Sequence, residues 1–208
     1  MKLIGVNILI ENMKKHNRYE IKDGYVLVYP QDRDDICTLI DYEWYEYFSK
    51  NDIYLYPKAD RDNGYYWCFR DGKKSTVRIH SVICCLGCDH INGDKSDNRI
   101  SNLRKSTSHQ NSCNRGATKA NSTGYKGVQK DNYKFCVQLR NKGKLLYFGS
   151  FNTAEEAARI YDLAALKYFG EFAWTNFPKE NYTEKEINNI CPSTMLNRKR
   201  EYKKKVSE

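Results

Sequence analysis

The chain lacks any apolar run approaching the ~20 residues that span a bilayer, which argues against a membrane protein. Its start, MKLIGVNILIENMKK, has a short apolar run but no small-residue cleavage site, so no secretory leader is expected. Eight cysteines without such a leader read as thiols of a reducing compartment, and a cytoplasmic setting follows. A second ligand-spaced cysteine pair is also missing. Cys84, Cys85 and Cys88 crowd together and Cys113 comes later, but only Cys85-x-x-Cys88 has metal-ligand spacing. Zinc is therefore disfavoured, and buried apolar thiols are expected. Acidic residues are scarce in one stretch: residues 115–150 hold Asp131 alone against eight Lys and Arg.

That scarcity sets the charge pattern. Residues 1–79 carry 13 basic and 13 acidic side chains, so the whole net charge of +9 belongs to residues 80–208. A neutral first third and a basic remainder imply a polyanionic partner met by the later part. The length, 208 residues, suits one medium domain or two to three small ones.

Residues 1–78 are rich in Tyr and strand formers broken by turns. Asp23-Gly24 and Asp71-Gly72 each separate two strand-like runs, a strong hairpin signal. Asp41 is placed to cap a short helix through DYEWYEYFS. This region predicts a small β-rich unit without evident chemistry. The run IHSVICCLGC fits either a short helix or a buried strand, and periodicity does not decide. INGDKSDNR is dense in turn formers and predicts a loop, with a short strand at 103–107 and a helix from Thr107-Ser108.

From Gly116 to Thr123 the chain reads as a polar linker. Three short strands follow over 124–150. In FCVQLR, alternation directs Phe135, Val137 and Leu139 inward and Lys134, Cys136, Gln138 and Arg140 outward. A helix is predicted from Thr153 to about Phe169, with Thr153 and Glu156 as a capping box and Gly170 as its stop. Its Ala157, Ala158, Tyr161, Ala164, Ala165 and Tyr168 form one face, expected to pack on the sheet. Residues 179–208 read as a polar, basic, flexible tail with a short helix after Thr183.

The chemistry concentrates in DHINGDKSDNRISNLRKSTSHQN, residues 89–111. A carboxylate, an imidazole and two carboxamides suit a small metal-dependent phosphodiesterase. A hard cation such as Mg²⁺ takes oxygen ligands and keeps several waters. Asp89 and the side-chain oxygen of Asn111 can supply the protein's share. His90 can deprotonate the attacking water. Asn102, or its backbone carbonyl, can fix the other ring nitrogen of His90. Singly, each of these residues also fits an ordinary turn, cap or surface role; the combination points to a site.

These residues carry a resemblance. From Arg78-Ile79-His80 to Asn114-Arg115 the chain resembles the HNH endonucleases of phages and mobile introns, through DHINGD, DNRISNLR and QNSCNR in that order. The resemblance implies a ββα-metal unit in which Asp89 and Asn111 hold the metal, His90 is the base and Asn102 orients it. Asn111 stands where many relatives have His, and His109 is a second candidate. His80 is implied to lie behind the site or to touch DNA. Mg²⁺ is the implied metal, with Mn²⁺ also suitable.

A second resemblance covers residues 123–178, in YKGV, KF, QLR and LYFGSFNTAEEAARIYDLAALKYFGEFAWTNFP. It is similar to the plant ethylene-response-factor (apetala-two) type of DNA-binding domain. A twisted β-ribbon fits the DNA major groove. Lys126, Gln129, Lys130, Lys134, Gln138, Arg140, Lys144 and Tyr147 are the expected contacts. Gln129, Gln138 and Leu145 depart from the plant pattern, which leaves the target sequence open.

The expected architecture is thus α+β: a β-rich region (1–78), a ββα-metal nuclease unit (79–116), a linker (117–122), a three-stranded antiparallel sheet packed on one helix (123–178) and a basic tail (179–208). The expected function is a metal-dependent, sequence-targeted endonuclease of the homing or phage kind. Its partner is double-stranded DNA, in a bacterial or phage-infected cell, and its oligomeric state is open. The alternatives are a DNA-binding regulator with a silent nuclease scaffold, and a zinc-stabilised nucleic-acid-binding protein.

Overall fold

Strand-forming runs interrupted by tight reversals dominate the first hundred residues, and they fold as short antiparallel sheets. The computed structural model describes residues 16–60, 64–72 and 75–193. The basic stretch from Arg198 onward lies outside the described residues. The chain divides into two units, residues 1–107 and 108–208. Its architecture is mixed α and β, in several small antiparallel sheets with few helices, an α+β fold.

In the first unit, β1 (Arg18–Lys22) and β2 (Tyr25–Tyr29) reverse at Asp23-Gly24, with Lys22 opposite Tyr25. Gly24 has φ +82°, the left-handed backbone that a two-residue hairpin turn needs. β3 (Thr38–Ile40) joins β2 on the other side. β4 (Tyr56–Ala59), β5 (Tyr65–Arg70) and β6 (Thr76–Arg78) form a second sheet in that order. The reversal predicted at Asp71-Gly72 is a wider loop. Asp71 closes it by accepting from the Ser75 N–H at 3.0 Å.

α1 spans Tyr42–Lys50 with Asp41 at its N-cap position, as the sequence predicts. The Asp41 side chain makes no cap bond, however. Its carboxylate accepts from the Ile100 N–H at 2.7 Å, a partner 59 residues away. The ambiguous run resolves into both elements: α2 (Ile79–Ile83) and then β7 (Cys88–His90). β7 pairs antiparallel with β8 (Leu103–Lys105), in the register Cys88↔Lys105, Asp89↔Arg104 and His90↔Leu103. Two three-residue strands are not stable alone. They rest on a core that unites Val26, Ile40 and Trp67 of the Tyr-rich sheets with Ile83, Cys88 and Leu103. Burying these side chains contributes about 1.5–3 kcal/mol for each large apolar group.

The second unit opens with α3 (Ser108–Cys113). β9 (Val128–Asp131), β10 (Lys134–Asn141) and β11 (Lys144–Phe151) form a sheet with β10 central. α4 (Ala154–Phe169) covers one face. Thr153 caps it by accepting from the Glu156 N–H at 3.1 Å, and Gly170 follows it at φ +55°. Ala157, Ala158, Tyr161, Ala164 and Ala165 are buried against Val128, Val137, Leu139 and Phe148, with Tyr168 partly buried beside them. Small alanines let helix and sheet approach closely. Gly127 shows how close: a Cβ there would fall 1.9 Å from the Tyr161 ring.

Asp162, fully buried on α4, was not legible as a core residue. It accepts from the backbone N–H groups of Asn176 and Phe177 and from the Tyr182 hydroxyl, and so ties the following chain to the helix. The short helix expected after Thr183 is α5 (Glu184–Asn189), with a full capping box between Thr183 and Glu186.

Candidate functional site

Alternation on β7 and β8 builds the site. Asp89 and Arg104 are directly opposed, and the guanidinium donates to Oδ2 through Nε at 3.1 Å and Nη2 at 2.9 Å. Asp89 is only 4 % exposed. Arg104 sets a positive charge directly beside this buried carboxylate. Nothing in the local sequence marks Arg104 as the partner of this carboxylate.

His90 follows Asp89 and is also buried. Its Nε2 lies 3.1 Å from Asn98 Oδ1. Burial lowers its pKa below the usual 6.5, opposed in part by the bond to Asn98 and by nearby carboxylates. The ring is therefore neutral at neutral pH, as a general base must be. The His80 ring packs edge-on against it, with centroids 5.0 Å apart and planes at 80°. His80 is 6 % exposed, so it lies behind His90 and not at a DNA-contacting surface. Burial, reinforced by His90 and Arg78, pulls its pKa down to about 3. Its Nδ1 is buried without a hydrogen-bond partner.

The loop between β7 and β8 is built from short polar residues that bond one another. Asn102 accepts from the Asn92 N–H at 3.0 Å and donates to Asn92 Oδ1 at 2.9 Å and to the Asp97 carbonyl at 2.8 Å. Its backbone carbonyl accepts from the Ile91 N–H at 2.8 Å. The Asn102 carboxamide thus braces the loop, and Asn98 takes the position beside His90 that the sequence reading gave to Asn102. Asp94 holds the turn by accepting from the Ser96 N–H and hydroxyl. Asp97 is clamped by Arg99 at 2.8 and 2.7 Å.

Asn111 and His109 lie on α3, in the second unit. His109 packs edge-on against Phe169, and its Nε2 lies 3.8 Å from Cys113 Sγ. Among the described residues no group of three or more His, Cys, Asp and Glu side chains is arranged to hold a metal. Cys84 and Cys85 bring their sulfurs to 3.6 Å and pack on the first core.

On the second unit's sheet, the face away from α4 carries Gln129 opposite Cys136, Gln138 opposite Tyr147, and Arg140 opposite Leu145. Lys134, Arg140 and Gln129 are exposed there. Three expected contacts lie off that face, with Lys130 and Lys144 exposed beside it. Lys126 is turned inward, where its Nζ donates to the Cys113 carbonyl and burial pulls its pKa down to about 8. Lys130 is opposite Phe135, on the face that packs toward the helix. Lys144 is opposite Asn141, out of step with Arg140. Cys136 lies on the outward face, as expected, but is covered there by Ser150 and Asp131.

With this geometry established, comparison with known proteins finds two likenesses. Residues 88–113, from β7 to the end of α3, match the family model described as HNH endonuclease. An uncharacterized HNH endonuclease of Acanthamoeba polyphaga mimivirus is 42% identical over 88 residues, covering 42% of this chain and 46% of that protein. The ethylene-responsive transcription factor WRI1 of Arabidopsis thaliana is 39% identical over 93 residues, 44% of this chain and 21% of that protein. The AP2-like ethylene-responsive transcription factor PLT2 of the same plant is 46% identical over 74 residues, 35% of this chain and 13% of its own. The chain spans less than half the length of each. Both resemblances read from the sequence are thus found again, each over part of the chain. Among the described residues no helix is long and apolar enough to cross a membrane.

Proposed function

We infer that the chain is a metal-dependent endonuclease that cleaves double-stranded DNA, of the homing or phage kind, acting in the cytoplasm of a bacterial or phage-infected cell. The observation that carries this reading is a buried His90, its Nε2 3.1 Å from Asn98 Oδ1 and its pKa lowered by burial, adjacent in sequence to the buried Asp89, inside the segment that matches the HNH endonuclease model.

The donor chemistry fits a hard divalent cation, with Mg²⁺ favoured and Mn²⁺ suitable: a buried carboxylate at Asp89 and a carboxamide oxygen at Asn111. Asn111 is assigned by the sequence pattern alone. When bound, such an ion neutralises charge on the scissile phosphate and its leaving oxygen. His90 takes a proton from water as the water oxygen attacks phosphorus, and the bond to the leaving sugar oxygen breaks. Asn102 keeps the loop around His90 closed. Gln129, Lys134, Gln138, Arg140 and Tyr147 present the outer sheet face to the DNA groove, and Lys130 and Lys144 reach phosphates from its rim.

One observation favours a second reading, a DNA-binding regulator with a silent nuclease scaffold: Arg104 already holds Oδ2 of Asp89. The experiment is incubation of double-stranded DNA with the protein and Mg²⁺ or Mn²⁺, comparing wild type with His90→Ala. Metal-dependent cleavage lost in the variant supports the enzyme. Binding without cleavage in either metal overturns it in favour of the regulator.

A further inference from the structure

The Tyr-rich first region carries no nuclease motif, yet one of its strands reaches the site. β3 docks on the loop between β7 and β8. The Leu39 N–H donates to the Ser96 carbonyl at 2.9 Å, and the Asn98 N–H donates to the Leu39 carbonyl at 2.8 Å. This contact buries Thr38 and Asn98 completely.

Within it, the direction of every hydrogen bond is forced. The Ser96 carbonyl can only accept, so the Thr38 hydroxyl donates its proton there at 2.7 Å. That leaves a lone pair on Thr38 Oγ1 facing Asn98 Nδ2 at 2.8 Å. Nδ2 also faces the carbonyls of Lys95 at 3.1 Å and Ser96 at 3.4 Å. Three oxygens around one end of the carboxamide identify that end as the NH₂ group. The other end, Oδ1, therefore faces His90 and can only accept, so Nε2 of His90 carries the proton. In a neutral imidazole the lone pair then lies on Nδ1.

We propose that Asn98, oriented by Thr38 of β3, is a positioning residue that holds His90 as the Nε2–H tautomer and makes Nδ1 the nitrogen that accepts the water proton. The proposal rests on the nuclease reading above and adds that the first β-rich region is part of the catalytic apparatus. With the amide turned over, its NH₂ group would face Nε2 and favour the opposite tautomer, with the lone pair directed into the protein. Asn98 on its own would be free to turn; the hydroxyl of Thr38 and the two carbonyls prevent it.

The test uses the full chain labelled with ¹⁵N-histidine, with His90→Gln identifying the His90 signals. In wild type, His90 Nε2 is expected to show the protonated nitrogen shift and Nδ1 the unprotonated one. Thr38→Val, which keeps the shape and removes the hydroxyl, is expected to mix the two tautomers. Its kcat for DNA cleavage should fall roughly tenfold, part of what a general base supplies, with DNA affinity unchanged. Thr38→Ser is expected to restore both the spectrum and kcat. A wild type that cleaves no DNA removes the nuclease reading and this role with it. A cleaving wild type whose His90 carries its proton on Nδ1 removes this role alone, whether or not the Val variant folds. So does a folded Thr38→Val variant with unchanged kcat.

Discussion

Arg104 donates twice to one oxygen of Asp89, at 3.1 and 2.9 Å, across directly opposed positions of β7 and β8. Both side chains are largely buried, at 12 % and 5 % exposure. The pair sets a guanidinium against a buried carboxylate inside the first unit.

Replacing Arg104 by Met should leave that carboxylate without its guanidinium. Removing one partner of a buried pair costs about 3–5 kcal/mol. Urea denaturation of Arg104→Met should show a loss of that order. Millimolar Mg²⁺ should recover more stability in the variant than in wild type, because cation and guanidinium serve the same carboxylate. Equal stability of the two proteins without metal would show that Asp89 does not depend on Arg104.

His80 should make stability depend on acid. Its pKa falls from 6.5 to about 3 in the folded chain, through burial first and the neighbouring His90 and Arg78 next. Between these values the unfolded chain binds a proton that the folded chain refuses. Stability present above about pH 6.5 is therefore lost as pH falls toward 3, at up to ~1.4 kcal/mol per pH unit. His80→Leu should flatten this part of the curve, read as the urea midpoint at pH 7, 6, 5 and 4. Parallel curves for variant and wild type would contradict the burial argument.

Arg140 and Lys126 should separate under salt. Arg140 is exposed on the outer sheet face, whereas Lys126 is tied to the Cys113 carbonyl inside its unit. Arg140→Ala should weaken DNA binding and reduce the salt slope of the affinity by about 1. Lys126→Ala should leave that slope unchanged and lower the melting temperature instead. A reduced slope for Lys126→Ala would return Lys126 to the DNA interface.

Gly127 should tolerate no side chain. Its φ of +74° and the Tyr161 ring, 1.9 Å from an added Cβ, both oppose substitution. Gly127→Ala should destabilise the protein by about 2–4 kcal/mol, from backbone strain and overpacking together. Thermal unfolding checks this, and a change under about 0.5 kcal/mol, typical of a neutral surface position, would mean that α4 is not seated as described.

Much of the fold was legible because its signals are local. The Asp23-Gly24 hairpin, the Thr153 cap and the alanine face of α4 follow from turn chemistry and periodicity over a few residues. The wide loop at Asp71, the rededicated Asp41 and the buried Cys136 were not legible, since a partner distant in sequence or a neighbouring strand decided each of them.

The same division runs through the site. By itself the sequence determined which chemical groups are present: the Asp89 carboxylate, the His90 imidazole, the asparagines of the loop, and a stretch of basic residues over the second sheet. Only the tertiary structure decided what each group meets. Asn98 rather than Asn102 faces His90, Arg104 meets Asp89, and Lys126 points inward while Arg140 points out. A side chain's type is written at its own position. Its hydrogen-bond partner and its exposure depend on strand register and loop closure, which bring Thr38 to Asn98 across 60 residues of chain.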